Sequence, residues 1–64
     1  MTIQEMIQQL AGYGFSQQAI ADAVGTTQPT IFRASKGGGI RYETGKAIEE
    51  FFKKESRRAK RTAA

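Results

Sequence analysis

Apolar residues recur at helical spacing near the start of the chain. The first four lie three or four positions apart, at Ile3, Met6, Ile7 and Leu10. This spacing places them on one face of a helix. Thr2 and Glu5 match a capping box, in which each side chain accepts a hydrogen bond from the backbone N–H of the other residue. The pattern predicts a first helix that begins after Thr2 and runs to about Ala11.

Two shorter helices are predicted in the middle of the chain. Ser16 is a natural N-cap for a helix over about residues 17–24. Gly25 follows where a helix commonly ends in a left-handed residue, a conformation that glycine adopts without a steric penalty. Thr27 can cap a third helix over about residues 28–35. The turn between these two helices is therefore short.

The third predicted helix has one apolar side and one polar side. Successive helical residues are about 100° apart, so Ile31 and Ala34 share a side and are expected to face the core. Pro29 falls in the first turn, which tolerates a missing N–H. The three glycines at positions 37–39 end the helix and predict a mobile, exposed loop.

A fourth helical pattern begins near Tyr42 or Glu43 and continues past Phe52. Its apolar side consists of Ala47, Ile48, Phe51 and Phe52. Because adjacent helical residues point about 100° apart, we expect one of the two phenylalanines in the core. The other is expected at the rim of the core or in a dimer contact.

The C-terminal stretch ESRRAKRTAA lacks apolar periodicity. It predicts either a frayed helical extension or a disordered basic tail. The chain therefore divides into a folded domain over residues 1–54 and a basic C-terminal tail over residues 55–64. The predicted fold class is all-α, a small bundle of four or five short helices. Its two central helices and their glycine turn have the outline of a helix-turn-helix.

The charge balance favours a polyanionic partner. The chain has ten Lys and Arg against six Asp and Glu, a net charge of +4. Residues 33–42 hold three basic residues and no acid, and residues 53–61 hold six basic residues and one acid. Nucleic acid is the first candidate for such a partner, and an acidic membrane surface is the second.

Several functional classes are disfavoured by what the sequence lacks. It contains no Cys and no His, the residues that most often bind transition metals or form a nucleophile and base pair. With 64 residues it is too small to enclose a substrate pocket of several hundred cubic ångströms. We therefore expect no enzyme activity, metal, cofactor or small-molecule substrate. No apolar run approaches the ~20 residues of a membrane span, so we expect a cytoplasmic protein.

The polar side of the third predicted helix carries residues that can read DNA bases. A glutamine can donate and accept together at adenine, an arginine can donate twice to guanine, and an apolar group can contact the thymine methyl. Gln28, Arg33 and Pro29 supply these functions respectively, and Thr30 lies at the margin.

A second set of residues is expected to hold DNA phosphates. Backbone N–H groups at helix N-termini and nearby cationic side chains both bind phosphate oxygens. The candidates lie at the starts of the second and third helices and in the segment after the third: Ser16, Gln17, Thr27, Lys36 and Arg41.

The stretch FSQQAIADAVGTTQPTIFRASKG resembles the helix-turn-helix of the bacteriophage Cro and repressor family. In that family a Ser-Gln pair opens the first helix of the motif, an Ala packs inside it and a Gly makes the turn. A Ser/Thr-Gln-x-x-Ile/Val sequence then opens the recognition helix. The matching residues, in order and spacing, are Ser16-Gln17, Ala21, Gly25, Thr27-Gln28 and Ile31.

The resemblance implies a lambda-repressor-like fold and a DNA-binding function. It implies that Gln17 contacts a phosphate and lies against the recognition helix, that Gln28 and Arg33 contact base edges, and that Arg41 lies at the DNA backbone or in the minor groove. This chain departs from the family pattern at Phe32, where a small polar residue is usual, and at Ala34, where a large apolar one is usual. Phe32 either contacts a thymine methyl or covers the gap beside Ala34.

The function predicted is that of a phage or prophage Cro-like repressor, which occupies a double-stranded DNA operator at the nucleoid of a bacterial or phage-infected cell. Because a domain of this size makes few contacts, a homodimer on two half-sites is expected. The alternative is a protein-interaction module, such as an antitoxin or a phage protein that binds a host factor. It would use Phe32, Phe52 and the basic tail.

Overall fold

The computed structural model describes residues 2–63, and their side chains as far as residue 59. The described residues form four helices and no strand. The helices are α1 (Ile3–Gly12), α2 (Gln17–Val24), α3 (Gln28–Ser35) and α4 (Tyr42–Ala63). The all-α prediction is confirmed, and the bounds of α2 and α3 agree with those expected from the sequence.

The first two helices begin with the side-chain caps that were predicted. Thr2 Oγ1 accepts from the backbone N–H of Glu5 at 3.1 Å, and Glu5 Oε1 accepts from the backbone N–H of Thr2 at 3.4 Å. Ser16 Oγ accepts from the backbone N–H of Ala19 at 3.1 Å. These bonds satisfy N–H groups that have no partner within the helix.

The start of α3 differs from the prediction, because the Thr27 side chain makes no capping bond. A cap of this kind accepts from the second or third helical residue. Pro29, the second, has no N–H, and the N–H of Thr30, the third, donates to the Thr27 carbonyl oxygen at 3.1 Å. The Thr27 hydroxyl instead lies 2.9 Å from the Thr30 hydroxyl.

A glycine with positive φ follows each of the first three helices. These are Gly14 (φ 107°), Gly25 (φ 77°) and Gly37 (φ 91°). After α3, the N–H of Gly37 donates to the Ala34 carbonyl at 3.1 Å, and the N–H of Gly38 to the Arg33 carbonyl at 2.8 Å. This is the hydrogen-bond pattern of a Schellman motif. Gly37 and Gly38 are therefore part of the helix end rather than of a free loop.

The core lies where α1 and α2 meet the other two helices. Its buried residues are Met6, Ile7, Leu10, Ile20, Ala21, Ile31, Ala34 and Ile48. Helices α1 and α2 each pack against both α3 and α4, whereas α3 and α4 do not pack against each other within the described residues. The solvent side of α3 therefore remains uncovered.

Helix α4 is 22 residues long and continues past the boundary predicted at residues 54 and 55. Glu55 is only 8% exposed, because it follows Ile48 by seven residues and lies on the same side of the helix. The prediction of a short fourth helix is wrong, and the helical alternative for residues 55–63 is the one observed.

The two adjacent phenylalanines of α4 both pack against the core while staying partly exposed. They flank Ile48 on either side, since they lie three and four residues after it. The ring of Phe51 also meets that of Phe15 edge to face, with centroids 5.1 Å apart. The expectation that only one of Phe51 and Phe52 would face inward is therefore wrong.

Candidate nucleic-acid interface

The four residues predicted to contact bases lie on the solvent side of α3 and on its two flanks. Pro29 and Arg33 are exposed, while Gln28 and Thr30 are half-buried. Ile31 and Ala34 are buried on the opposite side and hold the helix against α1 and α2. The buried side of α3 thus packs against the core, and its polar side faces solvent.

Gln17 connects α2 to both ends of α3. Its Oε1 accepts from Gln28 Nε2 at 2.6 Å, and its Nε2 donates to Ser35 Oγ at 3.5 Å. Ser35 Oγ in turn donates to the Phe32 carbonyl oxygen at 2.6 Å. Because Gln28 and Ser35 are seven residues apart, they lie on the same flank of α3 and one amide can reach both.

The Gln28 amide keeps the groups needed to bind a base. Its NH₂ group has two donors and its carbonyl oxygen is an acceptor. Gln17 uses one donor and fixes the orientation of the amide. One donor and one acceptor remain, which is the pair that adenine requires in the major groove.

The other flank of α3 borders an open groove of about 790 Å³. The opposite wall is formed by the segment before α4 and the first residues of that helix. The side chains lining the groove that can donate hydrogen bonds are Thr26, Thr27, Thr30, Arg33, Arg41 and Thr44. Four of the predicted site residues, Thr27, Thr30, Arg33 and Arg41, therefore meet at one groove.

The cations of this region are available for an anionic ligand. Arg33, Lys36 and Arg41 are exposed. Both ion pairs found between described side chains, Lys53 with Glu49 and Arg58 with Glu55, lie in α4. One carboxylate, that of Glu43, also lines the groove and opposes the positive charge there.

The remaining predicted phosphate contacts lie outside the groove. Ser16 is exposed at the start of α2, where its Oγ already accepts the capping bond. Gln17 is half-buried beside it and faces α3. Lys36 lies at the end of α3, with Nζ 5.5 Å from the centroid of the Phe32 ring. The predicted phosphate contacts thus lie at both ends of α3, at the start of α2 and, for Arg41, just before α4.

Two features of the interface were not predicted from the sequence. The bond from Gln17 to Ser35 could have been anticipated, because Ser35 is seven residues after Gln28. The contact between Phe32 and Lys36 could also have been anticipated from their four-residue spacing. Neither pair was predicted, since Ser and Lys are common on the exposed side of a helix.

Comparison of the chain with protein-family models, with curated proteins and with solved structures finds no match. The resemblance to the Cro and repressor family stays a prediction. Within residues 2–63, no helix is long and apolar enough to cross a membrane. The same residues contain no group of three or more His, Cys, Asp or Glu that could hold a metal ion.

Proposed function

We propose that this chain is a sequence-specific DNA-binding transcriptional regulator that inserts α3 into the major groove. The observation that carries the proposal is the Gln28 amide, which Gln17 holds at the first turn of α3, one turn before the exposed Arg33. In this proposal α2, the Gly25 turn and α3 act as a helix-turn-helix. The resemblance to the Cro and repressor family favours a repressor that occupies its operator.

Base contacts are assigned to the exposed side of α3. Gln28 binds the N6 and N7 edge of an adenine, and Arg33 donates to O6 and N7 of a guanine. Pro29 contacts an adjacent thymine methyl, and Thr30 reaches the edge of the same surface. These contacts determine which sequence is preferred.

Phosphate contacts are assigned to both sides of α3. Thr27 and Arg41 line the groove beside α3 and can hold one strand, and Lys36 extends from its end. Ser16 and Gln17 lie at the start of α2, where a second phosphate would meet backbone N–H groups. Such contacts position the protein but carry no sequence information.

The proposed DNA complex contains two copies of the chain. An eight-residue helix reaches only a few base pairs. Two copies on half-sites about 34 Å apart would read a longer operator and increase its selectivity. The proposal places the protein in the cytoplasm, at the nucleoid when it is bound to DNA. Binding of this kind requires no cofactor.

The direct test is selection of binding sites from random duplex DNA, followed by anisotropy titration of the selected duplex at several salt concentrations. We expect one preferred sequence and an affinity that falls steeply with salt. Arg33→Ala is expected to cost about 1–3 kcal/mol and to relax the preference at one base pair. The absence of a preferred sequence would contradict the proposal.

Two glutamine variants make a matched comparison. Gln28→Ala removes the proposed adenine contact and is expected to weaken binding to the selected site by about 1–3 kcal/mol. Gln18→Ala removes another glutamine, which is exposed on α2 and donates to Asp22. It is expected to leave the preference unchanged.

The alternative, a protein-interaction module, relies on Phe32, Phe52 and the basic C-terminal residues. Phe52 packs against the core, so less of its ring is available to a partner. Co-purification of a stoichiometric protein partner, together with indifference to DNA sequence, would favour this alternative.

A further inference from the structure

Phe32 is a large aromatic residue on the solvent side of α3. It is 47% exposed, whereas Ile31 is fully buried and Ala34 is 2% exposed. It is not among the partly buried residues that pack against the core. Nearly half of the side chain is therefore open to solvent, more than is usual for a residue that fills a core gap, and this favours the contact role over the packing role expected from the sequence.

Phe32 stands in the middle of a row along α3 whose other members are Gln28 and Lys36. Residues four positions apart on a helix are neighbours. At one end of the row the Gln28 amide is held by Gln17 at 2.6 Å. At the other end Lys36 Nζ lies over the Phe32 ring, 5.5 Å from its centroid, which is within cation–π range. The Lys36 ammonium thus lies against one side of the ring, and the Gln28 amide lies one turn before it on the helix.

We propose that Phe32 reads the methyl group of a thymine in the major groove. This inference rests on the proposed function, because it requires α3 to lie in that groove. The thymine methyl is the apolar group that the major groove presents, and an apolar side chain recognises it by contact. An exposed ring beside the proposed adenine contact is suited to that group.

Helix geometry limits where the thymine lies. Gln28 and Phe32 are separated by four residues, a rise of about 6 Å along α3. Successive bases are about 3.4 Å apart along a strand. The thymine is therefore one or two base pairs from the adenine that Gln28 binds. At that base pair, Phe32 would distinguish thymine from the other bases by its methyl group alone.

The experiment replaces each thymine of the selected operator, one at a time, by deoxyuridine, which lacks only the methyl group. The wild-type chain is expected to bind about fourfold more weakly at one position, the loss equivalent to one buried carbon group. Phe32→Ser is expected to bind the thymine and deoxyuridine duplexes equally at that position. Phe32→Leu, which keeps an apolar side chain, is expected to retain part of the discrimination.

The outcomes separate the inference from the proposed function. If no preferred DNA sequence exists, the proposed function fails and the inference fails with it. If a preferred sequence exists but no thymine is sensitive to removal of its methyl group, only the inference fails. It also fails if Phe32→Ser keeps the full fourfold discrimination, or if this variant melts well below the wild-type chain, which would assign Phe32 to packing. Tyr13→Ser, a change to another exposed ring outside α3, is the control and is expected to keep the discrimination.

Discussion

Helices α3 and α4 are both amphipathic, but α3 is much shorter than α4. Helix α3 stops after eight residues because Gly37 takes a positive φ and the N–H of Gly38 bonds back to the Arg33 carbonyl. Helix α4 contains Gly45 near its start and no glycine later, and it continues through 22 residues. The backbone conformation at Gly37 and Gly38 thus ends α3. Helix α4 has no such glycine after its first turn, and its inner side stays buried as far as Glu55.

The two helices also differ in how they are attached to the core. Two fully or almost fully buried side chains, Ile31 and Ala34, hold α3. Helix α4 has Ile48 at the centre of its inner side, flanked by two partly buried phenylalanines. The helix that presents the candidate interface thus has two buried side chains, together with the Gln17 bonds to its first and last residues. It follows that damage to its core side should disturb binding and stability together.

The largest effect is expected for Ile31→Ala. Removing a buried isoleucine side chain to alanine costs about 2–5 kcal/mol, against a total stability on the order of 3–10 kcal/mol for a chain of this length. Ala34 would then be the only buried side chain of α3, beside the Gln17 bonds to Gln28 and Ser35, so we expect α3 to open locally before the other helices. Urea unfolding measures the loss, and amide hydrogen exchange is expected to be fastest in α3.

Ile48→Ala is the comparison for this variant. It removes the same side chain from α4, whose phenylalanines remain in contact with the core. We expect a similar loss of stability but a uniform loss of amide protection across the helices. Selective loss of protection in α4 would show that the two helices are attached in the same way.

The second effect concerns the glycines that end α3. A Cβ atom on Gly38 would lie 2.9 Å from the Arg33 carbonyl oxygen, so Gly38→Ala must displace backbone. The expected cost is about 1–3 kcal/mol in thermal or urea unfolding. Gly39→Ala is the matched control, because a Cβ there meets nothing within 4 Å. A cost for Gly39→Ala equal to that for Gly38→Ala would mean that the close contact at Gly38 does not determine this helix end.

The sequence predicted these two helices unequally well. Thr27, Pro29 and the three glycines at positions 37–39 were enough to place both ends of α3, since turn and cap positions are local signals. The Thr27 cap was wrong, because the prediction did not take into account that Pro29 removes one of the N–H groups such a cap would accept. The resemblance implied that Gln17 lies against α3, and the spacing of Gln28 and Ser35 allows one amide to reach both. The exact bonds that Gln17 makes depend on how α2 crosses α3.

The end of α4 was not predicted because its inner side ceases to be apolar. Glu55 occupies the position after Ile48 and the phenylalanines where an apolar residue would have continued the pattern. Charged residues are rarely buried unless paired, and Glu55 accepts from Arg58 at 3.4 Å. The apolar pattern therefore ends at Phe52, about three turns before the helix ends at Ala63.

The third effect has the opposite sign and concerns that carboxylate. Glu55→Leu would continue the apolar side of α4 and remove a charge from a position that is 8% exposed. Replacing a buried ion pair by an apolar side chain is often stabilising, and we expect a gain of about 1 kcal/mol in the free energy of unfolding. Arg58 stays hydrated, since its side chain is 69% exposed.

Glu50→Leu is the control for this gain. Glu50 is an exposed acid of the same helix, so its replacement is expected to change the stability by less than about 0.5 kcal/mol. If Glu55→Leu lowers the melting temperature instead, the pairing of Glu55 with Arg58 stabilises the last turns of α4 more than apolar packing would.

The smallest effect is expected for the exposed ion pair of α4, in which Lys53 Nζ lies 3.4 Å from Glu49 Oε1. Pairs of this spacing contribute about 0.3–0.5 kcal/mol at low salt, and screening removes most of that at 1 M salt. A double-mutant cycle of Lys53→Gln and Glu49→Gln, measured by urea unfolding at both salt concentrations, isolates the coupling. Lys54→Gln is the control for simple charge removal. A coupling energy above about 1 kcal/mol would contradict this expectation. It would mean that surface ion pairs, rather than the packing of Ile48 and Glu55 on the inner side, stabilise α4 beyond residue 54.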